Sequence, residues 1–140
     1  MQAVRIHAGG GPEVLVTESV ETPQPKAGEV LVRLRAAALN HRDIWIRMGR
    51  QPQPLPLILG SDGAGTVEAV GEAVTMAAIG DEVIINPTLS CGVCQFCAMG
   101  EHSLCDQFQI LGGPRAGTYA DYVCIPEANV VWPEPSGSNR

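Results

Sequence analysis

Glu29-Val-Leu-Val-Arg-Leu-Arg-Ala36 sets Val30, Val32 and Leu34 against Leu31, Arg33 and Arg35. A period of two with one mainly apolar face is the pattern of a half-buried β-strand. Working outward toward the N-terminus, Thr22-Pro-Gln-Pro-Lys-Ala-Gly28 is a stiff turn region. Before it, Ala3 to Ala8 reads as a strand, and Gly9-Gly-Gly-Pro12 turns into a second strand over Val14 to Val20. On the other side, Asn40 to Met48 is one short helix, with Asn40 as N-cap, Asp43 in the first turn and Gly49 after its end. Ile44 and Met48, four apart, are its expected buried face. Gln51-Pro-Gln-Pro-Leu-Pro56 prevents continuation of the helix. Further strands are expected at Gly65–Val70, Glu82–Asn86, Tyr119–Ile125 and Val130–Trp132. About seven short strands and one helix predict a mainly β chain forming a partly open barrel. Residues 134–140 have linker composition and are expected to form a flexible tail.

Into this pattern is inserted Cys91-Gly-Val-Cys94-Gln-Phe-Cys97, followed after seven residues by Cys105. Thiolates at C-x2-C-x2-C-x7-C spacing can converge on one tetrahedral ion, for which Zn²⁺ is the natural occupant. Four cysteines close the coordination shell, so such a zinc is structural, with no open position for substrate or water. Residues 88–108 are read as this zinc lobe. Disulfides are disfavoured because Met-Gln-Ala-Val-Arg-Ile-His7 lacks the apolar run of a signal peptide. A bacterial iron–sulfur run would place its fourth cysteine after three residues and follow it with proline; here Asp106 follows. Cys124 sits in a strand-like run and reads as a small core residue. His102 lies within the lobe and reads as an exposed polar residue, because four thiolates already complete the ligand set.

The bulk properties bound the rest. A chain of 140 residues is one domain by size, and 45% hydrophobic with 17% charged residues is a globular composition. A net charge of −6, a pI near 4.9 and the absence of a Lys/Arg cluster exclude a nucleic-acid partner. No apolar stretch approaches the ~20 residues of a membrane helix, so no membrane partner is expected. A reducing, cytoplasmic setting is the expectation. Gly60-Ser-Asp-Gly-Ala-Gly65 is not a dinucleotide loop: the third glycine of G-x-G-x-x-G is missing, since Gly65 is followed by Thr66-Val-Glu68. Backbone permissiveness at a barrel corner is its expected role.

Several stretches, in this order, resemble the N-terminal, GroES-like domain of the medium-chain dehydrogenase/reductase superfamily. They are Gly10-Gly-Pro-Glu-Val-Leu15, Ala36-Ala-Ala-Leu-Asn-His-Arg-Asp43, Leu57-Ile-Leu-Gly-Ser-Asp-Gly-Ala-Gly-Thr-Val-Glu-Ala-Val-Gly71, Gly80-Asp-Glu-Val83, the cysteine lobe and Gly117-Thr-Tyr-Ala-Asp-Tyr-Val123. That superfamily includes zinc alcohol dehydrogenases and quinone oxidoreductases. The resemblance spans residues 1 to about 133. It implies a GroES-like, partly open β-barrel that forms the substrate-side half of an NAD(P)-dependent oxidoreductase. The expected substrate is a small carbonyl, enone, quinone or alcohol, and self-association into a homo-oligomer is left open.

Two departures from that family follow. Zinc alcohol dehydrogenases resemble this chain but carry a cysteine ligand where Asn40 stands and a histidine ligand where Ser61 stands, in a Gly-His-Glu that here is Gly60-Ser-Asp62. The expectation is one structural zinc and loss of the catalytic one. By the resemblance, Asn40, His41 and Ser61 lie near the nicotinamide end of the cleft, and Asp43 and Asp62 flank the lost metal. His41 is the expected donor or proton relay, Asn40 and Ser61 orienting groups, and the two aspartates their supports. Trp45 lines either the core or the substrate pocket. Helix capping alone would also account for Asn40 and Asp43. The second departure is that the family's βαβ cofactor-binding (Rossmann) domain has no counterpart in these 140 residues, so the polypeptide is not expected to be active alone. The alternative expectation is a stand-alone, zinc-stabilised binding or assembly module without catalysis.

Overall fold

A computed structural model describes residues 1–134; the rest of the expected tail lies outside the described residues. Ten strands are assigned among them, all paired antiparallel. The stretch that decided the reading, β3 (Glu29–Ala37), is the central strand of a five-stranded sheet. β5 (Gly63–Val70) flanks it on one side and β9 (Tyr122–Pro126) on the other. β6 (Glu82–Ile85) and β10 (Val130–Val131) extend the sheet beyond β5. Shifts of register between Leu31 and Val32 and between Leu34 and Ala36 bend β3, as bulges do when a sheet curls toward a barrel. The expected partly open barrel is what this curled sheet forms.

Val30, Val32, Val67, Val83, Leu111 and Ile125 fill the barrel core. Leu31 is buried too, on the opposite face of β3, whereas Arg33 and Arg35 stay exposed. Gly65 belongs to the tight part of this interior: a Cβ there would stand 2.1 Å from the Arg33 carbonyl oxygen. Gly65 thus serves close approach of backbone, whereas Gly60 adopts a positive φ of 93° that favours glycine.

A smaller sheet of β1 (Gln2–Ile6), β2 (Val16–Ser19) and β4 (Leu57–Ile58) carries the helix α1 (His41–Arg47). Ile6, Leu57 and Leu59 pack against Ile46 of that helix. The Arg47 side chain donates to the Gly10 carbonyl at 2.6 Å, and the Gly10 N–H donates to the Arg47 carbonyl at 2.8 Å, fastening the end of α1 to the turn before β2.

Several expectations are corrected. The second strand starts at Val16, because Pro12–Val14 winds into a single 3₁₀ turn. The strand expected from Tyr119 begins only at Tyr122; Tyr119 and Ala120 instead bridge to β1. The buried face of α1 is Asp43 and Ile46, not Ile44 and Met48, which are about half exposed. The physical reason lies in two partners distant in sequence, the apolar β1/β4 sheet and Tyr119, which together claim the Asp43–Ile46 row. Two-residue strands at Leu57–Ile58, Thr88–Leu89 and Gln109–Ile110 are too short to show a period.

Candidate functional site

The cysteine lobe leaves the barrel between β7 (Thr88–Leu89) and β8 (Gln109–Ile110), which pair with each other at its base. Leu89 and Leu111 sink into the barrel core and anchor both ends. Between them the chain makes one short helix, α2 (Gln95–Ala98). The four sulfurs of Cys91, Cys94, Cys97 and Cys105 all lie within 4.8 Å of one another. The Cys94–Cys97 separation is 3.6 Å and Cys91–Cys97 is 4.0 Å. Both are far beyond the ~2.05 Å of a disulfide and close to the ~3.8 Å edge of a tetrahedron with Zn–S bonds of ~2.3 Å.

Backbone N–H groups of Cys91 and Gln107 point at the Cys105 sulfur at 3.3 Å, and that of Cys94 points at the Cys91 sulfur at the same distance. Such donors favour thiolate over thiol. The backbone N–H of Cys97 draws the Cys94 thiol down to about 6, and the N–H of Val93 lowers Cys91. Burial pushes Cys97 up to about 11, a conflict that a bound divalent cation resolves by taking the thiolate as ligand. The donor set and its spacing therefore fit a four-sulfur metal centre. His102 is exposed and lies 3.2 Å from the Ser90 hydroxyl through Nδ1, outside the sulfur cluster. Cys124 is buried in β9, and burial raises its thiol to about 11.

The other expected residues assemble at the start of α1. Asn40 is the N-cap, and Asp43 reaches back to accept from its backbone N–H at 2.9 Å. The Asn40 amide nitrogen donates to the Ser61 hydroxyl at 3.0 Å and to the Asp62 carboxylate at 2.5 Å. Asp43, only 6% exposed, also accepts from the Tyr119 hydroxyl at 2.7 Å and from the Gly60 N–H at 3.3 Å. Burial, then the Asp43 and Asp62 carboxylates, raise the Tyr119 phenol well above its ordinary value. Asn40, Asp43, Ser61 and Asp62 thus share one hydrogen-bonded cluster. His41 stands beside it, exposed, with its ring edge-on to Trp45 at 4.9 Å between centroids. A cavity of about 270 Å³ opens here, walled by Leu39, Asn40, His41, Ile44 and Tyr119 among others. Trp45 is 45% exposed and lines a neighbouring cleft rather than the core.

Tyr119 was not singled out from the sequence, although it completes the cluster. Its partner lies 76 residues away, and the Gly117-Thr-Tyr119 stretch carries no local signature of a polar anchor. Thr118, which donates to the Asp62 carbonyl at 2.9 Å, was missed for the same reason.

A curled antiparallel barrel, a helix-borne polar cluster and an inserted four-cysteine lobe together define an alcohol-dehydrogenase-like, GroES-like domain. Residues 26–135 match the alcohol dehydrogenase GroES-like domain family, and the chain belongs to that family. It belongs there as the N-terminal part of a medium-chain dehydrogenase/reductase. The NAD-dependent alcohol dehydrogenase of Sulfurisphaera tokodaii is 37% identical over 141 residues, covering 94% of this chain and 40% of the relative. A crystal structure of an NAD-dependent alcohol dehydrogenase superposes with a TM-score of 0.93 at 53% identity, covering 99% of this chain and 41% of that one. A cobalt- and zinc-bound thermostable alcohol dehydrogenase from Pyrobaculum aerophilum gives a TM-score of 0.89 at 36% identity, over 94% and 41% of the two chains. The chain therefore spans about two-fifths of the length of the relatives it matches. Among the described residues no helix is long and apolar enough to cross a membrane.

Proposed function

We propose that this chain is the substrate-side domain of an NAD(P)-dependent oxidoreductase that binds one structural zinc and no catalytic zinc. Cys91, Cys94, Cys97 and Cys105 hold the zinc, which ties the lobe together and takes no part in the reaction. The observation that carries the reading is the pairing of Asn40 with Ser61 at 3.0 Å. The Asn40 amide is bound to the Ser61 hydroxyl and to Asp62, and amide and hydroxyl offer neither thiolate nor imidazole, so the donor set does not fit a second zinc.

Without a Lewis acid, oxidation of an alcohol has nothing to stabilise its alkoxide. Reduction of a small carbonyl, enone or quinone asks less, because hydrogen-bond donors suffice where the acceptor delocalises the incoming charge. When bound, a nicotinamide supplies the hydride. The protein's part is to hold the acceptor oxygen and deliver a proton to it. Both donor contacts of the Asn40 amide go to Ser61 and Asp62, so its role is to orient those two groups. The Ser61 hydroxyl is buried, accepts from Asn40 and holds that amide in place as an orienting group. His41, exposed at the cavity mouth, is the relay to solvent. Asp43 and Asp62 hold the pair in place. No Gly-x-Gly-x-x-Gly loop stands between a strand and a helix in these residues, so nicotinamide is held by sequence outside them and the 140-residue polypeptide does not turn over by itself. Leu39 and Ile44, exposed at the cavity, form the surface on which the cofactor-holding part packs.

Native mass spectrometry tests the metal count. One tightly bound zinc per chain is expected, lost in the Cys97→Ser variant. Two tightly bound zinc ions per chain would sink the proposal that the second site is gone.

A further inference from the structure

Next to the Asn40 cluster, α1 borders an open cleft of about 570 Å³ lined by Arg42, Trp45, Arg50, Gln51 and Ile110. Its lining holds two guanidinium groups and no carboxylate. Arg42 lines the cleft, and one of its terminal nitrogens donates to the Leu111 carbonyl at 3.0 Å. The other lies over Gly113, where a Cβ would come within 2.8 Å of it. The absence of a side chain at residue 113 is what admits the guanidinium. Among the described residues the Arg42 Nε is buried and has no hydrogen-bond partner, and neither Arg42 nor Arg50 makes an ion pair. Asp43, the neighbouring acid, has its oxygens committed to Asn40, Gly60 and Tyr119.

A planar guanidinium recognises a carboxylate through paired N–H donors, which a lysine at the same place would not match. Trp45 adds a flat apolar wall beside the two cations. Burial also depresses the Arg42 guanidinium from its ordinary value, as expected of a cation stripped of water on one side.

We propose that this cleft receives the anionic end of the substrate, a small organic carboxylate seated on Arg42 and Arg50 with its apolar body against Trp45. The assignment rests on the oxidoreductase reading above and narrows its substrate class to carbonyl or enone compounds that carry an acid group. Most of a carboxylate's recognition then comes from charge-assisted bonds, so a neutral compound of the same shape loses it.

The test uses the zinc-loaded chain and two probes of matched shape, benzoate and benzyl alcohol, followed by the indole N–H resonance of Trp45. Trp132→Phe assigns that resonance, since the chain has two tryptophans. Benzoate is expected to bind about tenfold tighter than benzyl alcohol, and to weaken as salt rises. Arg42→Gln and Arg50→Gln are each expected to weaken benzoate about fivefold or more while leaving benzyl alcohol unchanged. Arg50 is exposed, so its variant keeps the test valid even if Arg42→Gln perturbs the loop at Leu111. Equal affinities for the two probes, or benzoate shifts that avoid Trp45, would overturn the assignment. Benzoate accepts no hydride, so this outcome is independent of turnover and of the zinc count that tests the oxidoreductase reading.

Discussion

Removal of zinc is expected to disorder residues 91–108 while the barrel keeps its β structure. The burial pattern is the reason. From Cys91 to Gln109 the only buried residues are Cys97 and Cys105, while Val93, Met99 and Leu104 are more than half exposed. The lobe has no apolar core of its own. Its helix α2 is four residues long, far below the ~12–15 at which an isolated helix becomes even marginal in water. Its conformation therefore hangs on the sulfurs and on the β7–β8 pair. A structural zinc in such a setting contributes about 10–16 kcal/mol of apparent binding energy, coupled to local folding. The barrel is held by different contacts, the pairing of β3 with β5 and β9, that of β5 with β6, and an apolar core that none of the four cysteines joins. Amide hydrogen exchange after chelation, or in Cys97→Ser, is expected to show lost protection across 91–108 and retained protection in β3, β5 and β9. Collapse of the barrel's far-ultraviolet β signal on chelation would show that the lobe is integral to the core.

The contrast between those two parts explains what could be read in advance. The cysteine spacing is a local signal, because all four cysteines fall within fifteen residues, and the structure gathers the four sulfurs within 4.8 Å. The alternation in β3 is equally local, and its central position in the sheet follows from apolar residues on both faces at Val30, Leu31 and Val32. What was not legible depends on partners far along the chain. Helix α1 offers two rows of candidates for burial, and composition favours Ile44 with Met48. The other row wins because Ile46 meets the β1/β4 sheet and Asp43 meets Tyr119. A buried carboxylate cannot be foreseen from a helix that looks amphipathic in the ordinary way. Glu127 makes the same point. Its carboxylate accepts the backbone N–H groups of Thr75, Met76 and Ala77, about fifty residues distant, and these bonds hold it below the usual carboxylate range. Nothing in the Pro126–Asn129 stretch announces that clamp.

Replacement of Asp43 by alanine is expected to be the most costly single change in the polar cluster. The carboxylate takes the Asn40 N–H, the Gly60 N–H and the Tyr119 hydroxyl in one buried place. Its loss leaves three donors to find water or go without, at about 1–3 kcal/mol for each that stays buried. A net loss of about 3 kcal/mol is expected in urea unfolding, with a smaller loss in Asp43→Asn, whose amide oxygen still accepts. A domain with stability of ~5–15 kcal/mol survives this at 25 °C, so the variant remains measurable. A loss under about 1 kcal/mol for Asp43→Ala would mean that water replaces the carboxylate freely. Tyr119→Phe supplies a second reading of the same bonds through pH. The folded phenol titrates above its unfolded value near 10, so its contribution is complete below pH ~10 and is lost as pH rises toward the folded value. The stability advantage of wild type over Tyr119→Phe is therefore expected to be present at pH 8 and smaller at pH 11. An advantage that held or grew at pH 11 would mean that the phenol is not kept protonated by burial and by Asp43. The cluster would then owe its geometry to the backbone of α1 rather than to the carboxylate at its centre.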